Sequence, residues 1–221
     1  MAKMSNMEET TSREQILTKI RNALIDKSDM PYPEADLSRP VMHQPDLEQG
    51  LEVIFAQELI KTKGNFIYCE NEIQFIEYLK TLISEKEWTP IWTQSRKIQQ
   101  LLGAGEINFT TEPVEKSVLL VGLSPAEKLI AQTGTIVLSD LTTGSRSAIA
   151  LPDIQLVMAY ASQVVLSLKD ALRDLKLAYP DRLPTQLTFV TGPSRTADIE
   201  KTLVIGAHGP KSLYLFLIDD I

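Results

Sequence analysis

The sequence predicts an α/β fold in which a mostly parallel sheet is flanked by helices and preceded by an N-terminal helix and an extended arm. Two observations predict it. From Asp46 onward, short β-rich runs interleave with stretches whose apolar residues recur at helical spacing. Several of those runs are apolar on both faces, the pattern of strands covered on both sides. With 221 residues, 43% of them hydrophobic, the chain can bury a core large enough for one domain and an appendage.

The elements follow in order. Between Thr11 and Ile25, the residues Ile16, Leu17, Ile20, Ala23 and Leu24 form one apolar stripe, and Ser12 with Gln15 fits a capping box. Such a stripe packs either on its own domain or on a partner subunit. Behind it, Ser28 to Pro45 carries Pro31, Pro33, Pro40 and Pro45, whose fixed φ and missing N–H oppose both helix interior and central strand, so this segment reads as an arm. The expected division is residues 1–45, helix and arm, and residues 46–221, the α/β domain. In the latter, Leu47, Leu51, Ile54, Phe55 and Leu59 mark a helix, Phe66 to Cys69 a strand, and Ile73, Ile76, Leu79, Leu82 and Ile83 a second helix. Pro90 to Trp92 reads as a strand, Ile98 to Leu102 as a helix ending at Gly103, and Val118 to Val121 as a buried strand. Ser124-Pro125-Ala126-Glu127 looks like a helix start with Pro at the first helical position. Leu129 to Gln132 and Thr135 to Leu138, broken by Thr133-Gly134, form either a bent strand or a hairpin. Strands at Ile154 to Ala159, Leu187 to Thr191 and Leu213 to Ile218, with a helix from Leu168 to Leu177, complete the pattern.

Composition narrows the function. The formal charge is −7 and no basic run interrupts it, which argues against nucleic-acid binding. No apolar stretch reaches the roughly 18 residues of a membrane span, and the polar N-terminus carries no export signal, so a cytoplasmic protein is expected. Cys69 is the only cysteine, too few thiolates for an iron–sulfur cluster held by this chain. With only His43 and His208 beside it, and no H-E-x-x-H spacing, no metal site is expected. Cofactor motifs fail too. Gly103-Ala104-Gly105 meets Asn108 where a dinucleotide fingerprint needs its third glycine, and Gly209-Pro210-Lys211-Ser212 is no phosphate loop. No cofactor is expected, and the lack of a G-x-S-x-G elbow speaks against a serine hydrolase.

Three segments remain that could carry chemistry. In the first, the strand Leu187 to Thr191 runs into Gly192-Pro193-Ser194-Arg195-Thr196-Ala197-Asp198, where backbone N–H groups, the hydroxyls of Ser194 and Thr196, and the Arg195 guanidinium could cradle a carboxylate or phosphate. Alternatively, Ser194 or Thr196 caps a turn and Arg195 pairs with Asp198 or Glu200 as a latch. A second loop, Gly206-Ala207-His208-Gly209-Pro210, flanks its histidine with glycines, so His208 could act as an acid or base or simply hydrogen-bond within the loop. The bend Thr133-Gly134-Thr135 could present two hydroxyls, or be turn chemistry alone. Convergence of these segments on one anion pocket is the expectation. It assigns His208 a catalytic role and ligand contacts to Thr133, Gly134, Thr135, Gly192, Ser194, Arg195, Thr196, Asp198 and Gly209.

Together, Ser12-Arg13-Glu14-Gln15-Ile16-Leu17 with Ile20-Arg21-Asn22-Ala23-Leu24, Gln132-Thr133-Gly134-Thr135, Leu151-Pro152-Asp153, Ala161-Ser162-Gln163, Gly192 to Glu200 and Gly206 to Pro210 resemble the lactate utilization protein C family and its LUD-domain relatives. The order and spacing agree over nearly the whole chain. The resemblance implies a fold related to ribose-5-phosphate isomerase, CoA transferases and 5-formyltetrahydrofolate cyclo-ligase. It also implies a role beside two iron–sulfur-type companion proteins in oxidising L-lactate to pyruvate. The expected function is therefore a subunit or accessory protein of a cytoplasmic L-lactate oxidation system that binds a small anionic metabolite. The alternative is a free-standing transferase or isomerase acting on an anionic metabolite. One departure matters: Gln132 stands where the family usually has Glu, so a role needing a carboxylate there does not carry over.

Overall fold

A computed structural model describes residues 11–25, 45–113, 119–197, 203–205 and 209–221, without the side chains of residues 24, 195–197 and 203–205. The chain divides into two compact units, Met1–Val41 and Met42–Ile221. In the first, helix α1 spans Ser12–Ile25. Its capping box is built one residue earlier than expected: the Thr11 N–H donates to Glu14 Oε2 at 2.9 Å and the Glu14 N–H to Thr11 Oγ1 at 3.4 Å. Of the predicted proline arm, only Pro45 lies within the described residues.

In the second unit the elements run α2 (Leu51–Lys61), β1 (Asn65–Cys69), α3 (Glu72–Lys86), β2 (Ile91–Trp92), α4 (Arg96–Ala104), β3 (Phe109–Thr110) and β4 (Val121–Pro125). They continue with β5 (Lys128–Ile130), β6 (Thr135–Ser139), α5 (Asp140–Thr143), α6 (Ser147–Ala150), β7 (Ile154–Tyr160) and β8 (Val164–Val165). The last are α7 (Leu168–Ala178), β9 (Leu187–Val190), β10 (Arg195–Ala197), β11 (Leu203–Ile205) and β12 (Ser212–Ile218). Six strands form an all-parallel sheet in the order β1-β12-β7-β4-β2-β3. A second sheet, β8-β5-β6-β9, pairs β5 with β6 and β6 with β9 antiparallel, and β10 pairs antiparallel with β11.

Strand alternation assigns each face. On one face of the parallel sheet, Leu156, Met158, Phe216, Ile218, Val121 and Leu123 pack with Phe75 and Leu79 of α3 and Ile98 and Leu102 of α4. On the other, Val157, Ala159, Leu213, Leu215 and Leu217 meet Ile54, Phe55 and Leu59 of α2 and the inner residues Leu129, Ile136 and Leu138 of the second sheet. That sheet turns Ile130 and Val137 outward against Ala171 and Leu175 of α7. The predicted mostly parallel sheet with flanking helices is thus present. One of its faces is covered largely by a second sheet, because β5 and β6 form a hairpin whose apolar inner side needs the same burial.

Three local readings are corrected. Of the predicted strand Val118 to Val121, Val118 lies outside the described residues, Leu119 and Leu120 precede β4, which starts at Val121, and Leu119 is exposed. Ser124-Pro125 does not open a helix but ends β4, pairing with Val157 and Met158 of β7. Proline is tolerated there because the Ala126 N–H donates to Met158 O, so the N of Pro125 points to the β2 side, where β2 pairs with β4 only at Trp92 and Gly122. The Gly192 to Asp198 segment is not all loop, since Arg195–Ala197 forms β10.

Candidate functional site

The parallel sheet has a switch point between β2 and β4. From β2 the chain turns into α4 on one face and on to β3. From β4, beside it, the chain leads to β5 on the opposite face and then to β7 on the other side. Neighbouring connections that part in this way open a crevice outside the carboxyl ends of the strands, where open α/β sheets bind ligands. A pocket of about 600 Å³ lies there, lined by Gln94, Ser95, Arg96 and Lys97 after β2, Pro125 to Glu127 after β4, Met158 and Tyr160 at the end of β7, and also by Gln163, Leu141, Thr142 and Gly144.

Its charges are arranged by the fold. Ser95 occupies the N-cap of α4 without its hydroxyl capping the helix, and Arg96 and Lys97 fill the first turn, where no acidic residue stands. Positive side chains at a helix N-terminus oppose the macrodipole, whereas an anion there would satisfy both. Among the described residues Arg96 has no ion-pair partner, while Lys97 Nζ lies 4.1 Å from the centre of the Tyr160 ring. The Tyr160 hydroxyl donates to Glu72, and burial, then that bond, raises its pKa.

Glu127 supplies the opposite charge. Its Oε1 accepts from the Ser139 hydroxyl and, at 2.9 Å, from the Tyr179 hydroxyl. Burial, reinforced by that bond, pushes the Tyr179 phenol up to about 12, so it stays a donor at neutral pH. Gln163 ties the two strand exits together: its amide donates to Ala126 O at 2.7 Å and to Glu127 O at 3.2 Å, and its Oε1 accepts the Tyr160 N–H at 2.7 Å. The motif Ala161-Ser162-Gln163 thereby gains a physical reason.

The described parts of the segments singled out in the sequence sit elsewhere. Thr133 and Thr135 hydroxyls lie 2.6 Å apart and Thr135 lies 2.7 Å from Thr191, so the bend meets the end of β9. The Ser194 N–H donates to Pro210 O at 2.8 Å, and Gly209 lies against Ser194. These described parts therefore come together, but Gly209 and Pro210 precede β12, at the amino edge of the parallel sheet. Strand β6 shows the separation: Thr135 at its start joins this cluster, while Ser139 at its end reaches Glu127, roughly 13 Å further along the strand. Gly134 and Gly192 have φ of 60° and 80°, and a Cβ on either would come within 2.3 Å of Leu59 N and 2.5 Å of Thr62 O respectively. Both glycines admit the C-terminal end of α2. Arg195 and Thr196 are described only as main chain of β10, and Asp198 and His208 lie outside the described residues.

Sequence reading passed over Arg96, Lys97 and Glu127. A usable signal was present: a strand, then a serine, then two cations opening an amphipathic helix, a local rule broken without compensation nearby.

Comparison with known proteins places these observations in a family. A model described as the LUD domain matches residues 117–218. The lactate utilization protein C of Halalkalibacterium halodurans is 34% identical over 176 residues, which cover 79% of this chain and 70% of that protein. That of Bacillus subtilis is 29% identical over 178 residues, covering 77% and 70%. The crystal structure of a DUF162 family protein from Deinococcus radiodurans superposes with a TM-score of 0.58 at 14% identity, covering 79% of this chain and 99% of that one, a likeness of fold alone.

Proposed function

Since the chain belongs to the lactate utilization protein C family of LUD-domain proteins, we propose that it serves lactate utilization as a subunit or accessory protein of a cytoplasmic L-lactate oxidation system. In this reading it works beside iron–sulfur companion proteins and binds a small anionic metabolite in the switch-point pocket. The observation that carries the binding is the placement of Arg96, Lys97 and the uncapped start of α4 in that pocket. A division of labour with redox-active partners is supported by Cys69, the lone cysteine, which is buried and whose thiol burial pushes up to about 11. No described helix is long and apolar enough to cross a membrane.

One observation favours the second reading, a transferase or isomerase acting alone: an acidic residue, Glu127, lines the same pocket as the cations. Turnover of an anionic metabolite by the isolated chain would establish it. The first reading predicts that deleting the gene impairs growth on L-lactate and that a copy with Arg96→Ala restores growth poorly. The purified variant should bind its acid more weakly by about 1.5–3 kcal/mol, the worth of a charge-assisted contact. Normal growth of the deletion strain, or unchanged affinity in the variant, would overturn it.

A further inference from the structure

We infer that the chain associates with copies of itself head to tail, the outward face of α7 on one copy lying in the groove between α3 and α4 on the next. The layers put these two surfaces at opposite ends of the α/β unit. α3 and α4 cover one face of the parallel sheet, the second sheet covers much of the other, and α7 packs on the outer side of that second sheet. Among the described elements, α3 with α4 and α7 are therefore the outermost layers, and each carries apolar side chains that the core does not use. On α7, Ala171 and Leu175 are buried, while Leu168, Leu172 and Leu177 are 49%, 37% and 74% exposed. On the far side, a groove of about 370 Å³ is lined by Ile73 and Ile76 of α3 and by Leu101, Ala104 and Gly105 at the end of α4. Ile73 there is 73% exposed.

Shape and charge match the two surfaces. A single helix is convex, and a groove between two helices is the concave form that an amphipathic face enters. Lys169, Arg173 and Lys176 flank the leucines of α7, and of these only Arg173 has ion-pair partners among the described residues, Asp170 at 3.0 Å and Asp174 at 3.4 Å. The groove carries Glu77 and Glu72, the latter also accepting the Tyr160 hydroxyl, against one cation, Lys80. An excess of base thus faces an excess of acid. In a chain of net charge −7 most contacts between copies bring like charges together, whereas this one brings opposite charges together. Other proteins covering both surfaces would have to be of two opposite characters; a second copy supplies both. Because the two surfaces differ, the contact is heterologous and each copy engages two neighbours. The 11 residues of α7 give about 16 Å of helix, so the contact is smaller than the roughly 800 Å² per partner of a stable complex, and its dissociation constant should be on the order of 100 µM.

Sedimentation equilibrium of the full chain from about 5 to 500 µM tests this. The average mass should climb with concentration past twice that of the monomer, a limit that a contact pairing like surfaces cannot exceed. Leu168→Ser with Leu177→Ser spoils the α7 surface, and Ile73→Lys spoils the groove. All three positions are exposed, so both variants should melt with the wild type, and each alone should remain close to monomer mass. Mixed in equal amounts they should associate again and stop at a dimer, since each retains one intact surface. Lys169→Glu with Lys176→Glu repeats the α7 test without touching a leucine and should likewise abolish the growth. A wild type that stays monomeric, or halts at a dimer, overturns the inference. So does either spoiled variant that still associates as the wild type does, or a mixture that stays monomeric.

Discussion

Asp153 shows how a single side chain holds the amino edge of the parallel sheet. It accepts the Leu120 N–H at 3.1 Å and pairs with Lys211 Nζ at 2.9 Å, joining the approaches to β4, β7 and β12. The Lys211 bond, with the Leu120 N–H behind it and partial burial opposing, holds the Asp153 carboxyl below its ordinary value. A carboxylate whose pKa is lower folded than unfolded stabilises the fold above its unfolded value of about 3.9, and loses that contribution as pH falls through the folded value. Asp153→Asn should therefore destabilise the protein at neutral pH by about 1 kcal/mol, discounted for the half-exposed lysine. Denaturant titrations at several pH values should show the wild type and variant converging in acid. A difference that stays constant with pH would mean the carboxylate charge plays no part. In the sequence, Leu151-Pro152-Asp153 was visible only as part of a resemblance, because the partners of Asp153 lie 33 and 58 residues away.

At the scale of elements, local signals were legible where one element's own residues decide its form. Helix α3 lies where the apolar spacing put it, with Asn71 accepting the Gln74 N–H at 3.0 Å as its cap, and β1, β7, β9 and β12 lie within a residue or two of their predicted bounds. What failed depended on distant pairing. Ser124-Pro125 has the composition of a helix start and becomes a strand end only because β7 supplies a ladder, and β10 exists only by pairing with β11. The site divides in the same way. Glycines and hydroxyls drew the eye to Thr133 to Thr135 and to Gly192, where α2 packs, whereas the pocket takes its polar groups from three separate strand exits. The packing role of Gly134 is open to measurement. Gly134→Ala forces a Cβ onto the backbone of α2 at a positive φ and should cost at least about 2–3 kcal/mol. Gly103→Ala, in α4 with nothing within 4 Å of its Cβ, should instead stabilise by about 0.5–1 kcal/mol. Thermal melts of the two variants should move in opposite directions, and a Gly134→Ala protein as stable as the wild type would refute the packing role.

Over the whole molecule, the apolar clusters around the parallel sheet draw, among the described residues, on those from Leu51 onward. We propose on that ground that residues 46–221 fold as an autonomous domain, a boundary close to the Met42 at which the second compact unit begins. A chain starting at Asp46 should unfold cooperatively with a midpoint near that of the full chain, and a loss of more than about 2 kcal/mol would show that the first 45 residues belong to the core. The layering also decides where the aromatic residues lie. Trp88 and Trp92, the chain's two tryptophans, bracket β2, and both are buried, Trp88 edge-on to Tyr214 at 5.3 Å and Trp92 with its indole N–H on Thr111 O at 3.1 Å. Shielded from water, they should give the native protein a blue-shifted fluorescence that soluble quenchers reach poorly. Trp92 packs with Leu120 and Ala148 beneath β2, so loosening of that edge of the sheet should be readable in the protein's own emission without any attached dye.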